Sequence, residues 1–223
     1  MIDKEKLYEE TMARAKARLA KLRQEWQTKY GQNLLKKVLV ALQSGQPVKE
    51  VVKAEPFDYY WSGQMLNGIP LSKMDLRKAN FREVKLSEAD FRGSNLEDAD
   101  FQNSPNLGDA NFEGANLTRA NFKGVLLWGS NLSNANLTQA RLINADLSSC
   151  NLENANFTGA NLSGANLIGA RLNGAIFDNA ILQGTRFGNY AEGKGLGLSQ
   201  SALEAIAQLD EIKERIGEPP EDM

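Results

Sequence analysis

The sequence predicts a mainly β solenoid, a chain that turns a corner every five residues, with helical segments at its two ends. Three observations lead there. A large apolar residue recurs at every fifth position, the period suits neither a straight helix nor a straight strand, and the residue types inside each unit are those of a corner. From Asn106 onward the text falls into units such as Ala110-Asn111-Phe112, Ala115-Asn116-Leu117 and Ala120-Asn121-Phe122. Their Leu or Phe centres run without a break from Leu107 to Phe187, which makes 17 units. An earlier run has 7 more centres, at Leu71, Leu76, Phe81, Leu86, Phe91, Leu96 and Phe101. The two runs are offset by one residue, and the extra residue lies in the turn-like stretch Gln102-Asn103-Ser104-Pro105.

Five helical steps of ~100° leave a position about 140° from where it began, so no helix face would be apolar. Five is also odd, so a straight strand would turn successive centres to opposite sides. The centres share one interior only if the chain bends once per unit. Within a unit the Leu or Phe fills the interior, and Ala two places earlier is small enough to point inward beside a corner. The Asn or Asp between them can hydrogen-bond nearby backbone. The last position is often Gly or Asn, which tolerate left-handed dihedrals. The centres Phe81, Phe91, Phe101, Phe112, Phe122, Leu142, Phe157, Leu167 and Phe177 are therefore expected to be core, and not a base-stacking platform. Asp90, Asp100 and Asp146 take the outward turn position that Asn fills elsewhere, which predicts turn chemistry for them and no acid–base pair. Cys150 takes the small inward position, which predicts a buried structural thiol.

This pattern resembles the pentapeptide-repeat family, written A(N/D)LXX, over roughly residues 69–189. The resemblance implies a right-handed quadrilateral parallel β-helix with four units per coil, hence about six coils. At ~4.8 Å per coil the rod would be roughly 29 Å long. Each coil rests only on its neighbours, so both ends need caps. The expected organisation is an N-terminal helical segment over 1–57, the β-helix over 58–190, and a linker with a C-terminal capping helix over 191–223.

At the N-terminus, residues 3–30 read as one amphipathic helix. Met12, Ala15, Leu19, Leu22, Trp26 and Tyr30 form its apolar stripe, and Gly31 stops it. Leu34, Leu35, Val38, Leu39 and Leu42 predict a second helix ending near Gly45, and Pro47 starts a short third one. The aromatic cluster Asp58-Tyr59-Tyr60-Trp61 is expected to plug the open end of the first coil. At the other end, Ser201-Ala202-Leu203-Glu204 is a capping box. Leu203, Ile206, Leu209, Ile212 and Ile216 follow at helical spacing, and this helix is expected to cover Ile176 and Ile181.

Composition excludes much chemistry. The chain of 223 residues has no His and one Cys, so an intramolecular disulfide and a Cys/His metal cage are excluded. Ser–His and Cys–His nucleophile pairs are excluded as well. No catalytic residue, metal ligand or cofactor site is expected, and the chain does not read as an enzyme. The N-terminus lacks an apolar h-region and no 18-residue apolar stretch occurs, so no transmembrane segment is expected and a bacterial cytoplasmic protein is the simplest expectation.

Charge is unevenly spread. Residues 1–55 carry 12 Lys or Arg against 7 Asp or Glu, and helix residues Arg14, Lys16, Arg18, Lys21 and Arg23 form a candidate basic face. An acidic partner or surface is one reading of that face; a solvated helix side interleaved with Glu5, Glu9, Glu10 and Glu25 is the other. Residues 71–104 hold 13 charges, whereas the much longer stretch 105–190 holds only 10, so the late coils present a surface with little charge to desolvate. On that surface Leu126 and Trp128 flank the centre Leu127. Ile168 falls two coils above Trp128 on the same face and Ile143 falls on the adjacent face, which makes these four a candidate docking patch. Either a partner or the protein's own N-terminal helices could cover it, and a homodimer stays open.

The leading expectation is a non-catalytic interaction module or scaffold with a protein partner. Family resemblance also raises a DNA-mimic modulator of a type II topoisomerase such as gyrase. That role needs acidic faces, and residues 66–190 carry 11 basic against 12 acidic groups. A third reading is a rod tethered to an acidic surface by its first helix. No nucleic-acid partner is expected from the charge balance.

Overall fold

The computed structural model describes residues 23–53 and 66–187, together with 13, 14, 17, 20 and 21. Residues 66–187 form one parallel coil. Single-residue bridges stack Pro70, Asp90, Asn111, Asn131, Asn151 and Arg171 into the column of a first face. A second column runs from Asp75 to Ile176, a third from Asn80 to Ile181, and a fourth includes Leu126, Asp146, Asn166 and Arg186. Four columns per turn make each pentapeptide one side of a four-sided coil. Bridged residues are 20 apart everywhere except across the insertion, where Asp90 pairs with Asn111 and Asp100 with Asn121. The extra residue is thus absorbed in one corner without changing the register of the faces.

Each side is too short for a conventional strand, yet its backbone is paired on both edges. Leu71 N–H donates to Asp90 O at 2.8 Å, and Asp90 N–H donates to Ile69 O at 2.9 Å. Corners close by a bond such as Ala79 N–H to Leu76 O at 3.1 Å. The residue before that donor adopts the left-handed conformation that a type II turn reserves for its third position. Gly114 and Asn134 do so, as expected, but so do Glu88, Arg119 and Gln139, at φ near 60°. The coil imposes a conformation that costs such residues roughly 1–2 kcal/mol each. The expected turn role of Asn and Asp is realised: Asn111 accepts from Glu113 N–H at 3.0 Å, Asp100 from Gln102 N–H at 2.9 Å and Asp146 from Ser148 N–H at 3.0 Å.

All nine predicted centres are buried. Phe81, Phe101 and Phe122 stack up one wall at ring separations of 4.9 and 4.7 Å, Phe91 and Phe112 stack up the opposite wall at 4.8 Å, and the walls meet edge to face. Where a polar residue replaces the small inward Ala, it donates to a carbonyl of the coil below. Ser94 bonds Leu71 O at 2.6 Å, Ser130 bonds Leu107 O at 2.8 Å and Thr185 bonds Leu162 O at 2.8 Å. These replacements satisfy a buried hydroxyl that would otherwise be costly.

The N-terminal part consists of helical residues 23–27, α1 (Lys29–Ser44) and α2 (Val48–Lys53). The expected single helix to residue 30 with a stop at Gly31 is corrected here. The break falls at Thr28, whose extended backbone and side chain cap α1 by accepting from Gly31 N–H at 3.1 Å. Gly31 lies inside α1 because a Cβ there would strike the Glu25 carbonyl and come within 2.8 Å of Trp26 Cα. Glycine marks the close crossing of two helical segments, not an end. Gly45 does end α1, at φ 72°, and α2 begins right after Pro47.

These helices close the first coil. Trp26, Leu34, Val38, Leu42 and Val48 belong to the same buried cluster as Leu66, Ile69, Leu71 and Leu76. Trp26 Nε1 donates to Asn67 O at 2.9 Å, Val48 N–H donates to Asn80 O at 3.2 Å, and Lys49 pairs with Glu83 at 2.8 Å. The 58–61 aromatic cluster and the capping helix expected over 201–216 lie outside the described residues.

Candidate docking face

The fourth face carries the predicted patch. Leu126 and Trp128 are 44% and 43% exposed on either side of buried Leu127, and Ile168 is 38% exposed two coils higher in the column of Trp128. Ile143 is half-buried on the neighbouring face. Ile181 is exposed and Ile176 half-buried near the last coil, on the third and second faces. The structure therefore brings Leu126, Trp128 and Ile168 onto one face and leaves Ile143 beside it.

Trp128 has a seat that sequence reading missed. A Cβ on Gly108, directly beneath it, would lie 2.6 Å from Cε2 and 2.8 Å from Cζ2 of the indole. The ring rests on bare backbone, so Gly108 is a packing requirement. Pairing each unit with the one a coil below would have revealed it. Below Trp128 the same column is covered: Asn67, Ser87 and Gly108 are all buried.

Of the candidate basic face, Arg14, Lys21 and Arg23 are helical and exposed, while Lys16 and Arg18 lie outside the described residues. Arg23 borders a cleft of about 310 Å³ with Trp26, Glu88, Asp90, Arg92 and Asp109. Its charge reaches Asp90. At least this cation faces the protein's own carboxylates. Partial burial raises the Asp90 pKa, but hydrogen bonds and charge from Arg92 outweigh it and hold the carboxyl below its ordinary value. The bidentate bonds behind this are 2.8 and 2.7 Å long.

Other carboxylates of the early coils are likewise spoken for. Asp75 is paired with Arg77, Asp100 with Arg82, and Glu97 and Asp98 with Arg119. Arg119 sits 21 residues after Asp98, one lengthened coil away, a spacing that could have been read from the sequence once the insertion was counted. Hydrogen bonds from Arg77 lower the Asp75 pKa, and those from Arg119 lower that of Asp98. Cys150 is buried and its Sγ donates to Leu127 O at 3.0 Å. Burial pushes the thiol pKa up to about 12, so it stays protonated and unreactive. Among the described residues no group of acidic, Cys or His side chains could hold a metal ion. No helix among them is long and apolar enough to cross a membrane.

Comparison with known proteins agrees with the coil. The family model for pentapeptide repeats matches in 8 copies over residues 66–103, 94–127, 120–159 and 150–189. No curated protein sequence matches this one. Among solved structures, the chain is similar to HetL from the cyanobacterium Nostoc sp. strain PCC 7120, a pentapeptide repeat protein involved in heterocyst differentiation regulation. The two are 32% identical with a TM-score of 0.40, over 53% of this chain and 57% of HetL. Rfr23 from the cyanobacterium Cyanothece 51142 is 30% identical with a TM-score of 0.40, over 56% of this chain and 84% of its own. QnrB1, a plasmid-mediated fluoroquinolone resistance protein, is 25% identical with a TM-score of 0.46, over 66% and 73%. The chain thus spans little more than half the length of HetL. With the repeat model covering more than half of the sequence and the coil built from those same units, the chain belongs to the pentapeptide-repeat family.

Proposed function

We propose that the protein is a non-catalytic interaction module of the cytoplasm, a right-handed quadrilateral β-helix of about six coils that docks a protein partner through its fourth face. One observation carries this reading. An exposed Trp–Leu pair, with an Ile above it, stands on a rod whose late coils carry few charges. Aromatic anchors with uncharged surroundings are the composition of interface centres. The polar groups around them offer little directional recognition, because the rod already uses them. Ser148 N–H donates to Asp146 Oδ1 at 3.0 Å, and Asn166 Nδ2 donates to the same oxygen at 3.1 Å.

A DNA-mimicking role is disfavoured because the arginines neutralise the carboxylate rows. A rod tethered by its basic helix is disfavoured by Arg23, which faces Asp90. The test is affinity capture from lysate with wild type and Trp128→Asp. A stoichiometric protein partner that is lost in the folded variant is expected. Equal capture by both would remove the patch from the function.

A further inference from the structure

We propose that the partner docked on the fourth face carries an acidic segment, which crosses the edge between the third and fourth faces and sets its carboxylates against Lys123 and Arg141. This rests on the docking role proposed above and adds the chemistry of the partner. The few charges of the late coils are unevenly placed, and the edge beside Trp128 holds two cations that lack a carboxylate. Arg77, Arg82, Arg92, Arg119 and Arg171 each pair with an Asp or Glu. Lys123 and Arg141 are exposed, and neither side chain has an ion pair or hydrogen bond among the described residues. Their position ties them to the apolar patch. Arg141 stands in the third column directly above Asn121. Lys123 lies beneath Ile143, since Gly124 N–H donates to Ile143 O at 2.9 Å. Leu126 follows Lys123 around the corner at Gly124, where a Cβ would meet nothing within 4 Å. The corner is therefore open, and one partner segment can touch Lys123 and Leu126 together.

The carboxylates nearby do not cancel this charge. On the third and fourth faces from Asn121 upward, Asp146 is the one acidic residue among the described residues. It sits half-buried above Leu126, and its Oδ1 already accepts from Ser148 N–H at 3.0 Å and from Asn166 Nδ2 at 3.1 Å. Arg186 stands two coils higher in the same column. Asp109, at the far edge of the fourth face, borders the cleft that holds Arg23 and Arg92. An apolar patch with unpaired cations along one border repels a basic partner and attracts an acidic one. The partner is a protein and not a nucleic acid. Two cations neutralise too few phosphates to hold a strand, and Leu126 and Ile168 offer no ring for a base to stack on.

The test is selection of random peptides displayed on phage against the full chain, discarding those that also bind Trp128→Asp. The retained peptides should be enriched in Asp and Glu beside apolar residues. A synthetic copy of the most enriched one should bind Lys123→Glu with Arg141→Glu at least about tenfold more weakly than wild type, and should lose affinity as salt rises. The neutral pair Lys123→Gln with Arg141→Gln should show the same loss to a smaller degree, and circular dichroism checks the fold of each variant. Arg171→Glu, on the first face of the same late coils, should leave the affinity unchanged. Neutral or basic peptides that depend on Trp128 would overturn the proposal and leave the docking role standing. So would an acidic peptide that binds the double reversal as well as wild type. A single-stranded oligonucleotide that binds wild type and not the double reversal would overturn it by giving the edge to a nucleic acid. A selection that yields no peptide dependent on Trp128 would overturn the docking role itself, and this proposal with it.

Discussion

The early and late coils share one backbone and differ in what joins each level to the next. Between Leu71 and Phe122 the interior holds a ladder of five phenyl rings and the exterior is laced by arginine–carboxylate pairs. From Val125 to Leu152 every centre is Leu, and outward Asn, Ser and Thr bond to one another or to their own turn. In the later coils Arg171 pairs with Glu153 at 2.7 Å. The coil is thus specified by its period and its buried centres, while the outer surface is free to vary. Charge was placed where the helices cap the rod, and a neutral surface where the exposed Trp128 stands. The proposed docking face thus falls in the late coils, and the helical cap with its ion pairs in the early ones.

The sharpest way to break that contrast is to remove a ring from the early interior. Phe101 stacks between Phe81 and Phe122 and meets Phe91 and Phe112 edge to face. Phe101→Ala should cost about 3–5 kcal/mol, since both the ring and its packing partners lose contact. Urea unfolding followed by circular dichroism reads the loss directly. Because each coil leans only on its neighbours, unfolding should also lose cooperativity, with the late coils melting at higher denaturant than the early ones. A cost below about 1 kcal/mol would mean that the ring ladder is not a continuous packed unit.

What the sequence disclosed follows the same division. The repeat spacing disclosed the coil, the inward Phe and Leu centres and the outward position of Leu126, Trp128 and Ile168, because a strict period fixes where each side chain points. It did not disclose the break at Thr28 or the place of Gly31, because both depend on how closely two helical segments cross. Nor did it disclose that Gly108 seats Trp128 or that Arg119 reaches back to Asp98. Those contacts join residues about one coil apart, and they emerge only when units are read in columns. Left-handed Glu88 and Arg119 were hidden for the converse reason: local preference argues against them, and the pairing above and below overrides it.

A smaller effect sharpens the electrostatic half of the comparison. The carboxyls of Asp75, Asp90 and Asp98 are held below the ordinary value of 3.8. A group with a depressed folded pKa stabilises the fold above its unfolded pKa, and that stabilisation is lost as pH falls through the folded value. Stability should therefore be flat near neutrality and fall below about pH 4. Asp90→Asn keeps the turn acceptor and removes the charge, so it should cost no more than about 0.5–1 kcal/mol at neutral pH for this partly exposed pair. Its urea midpoint should then be less sensitive to acid than that of the wild type. Identical acid sensitivity in the two proteins would exclude Asp90 as a contributor.

The smallest expected effect concerns the corner conformation. Gln139 holds φ at 59° in a late coil, where Gly159, in the coil above it, holds 66°. Gln139→Gly relieves a left-handed side chain, worth roughly 1 kcal/mol, but adds chain entropy to the unfolded state, worth a similar amount. The two should nearly cancel, leaving the urea midpoint almost unmoved. Gly159→Gln, the reverse exchange, should be equally mild if pairing above and below dictates the corner. If Gly159→Gln instead costs as much as the loss of a core ring, the corners are set residue by residue. The early and late coils would then owe their common backbone to local choice and not to the period.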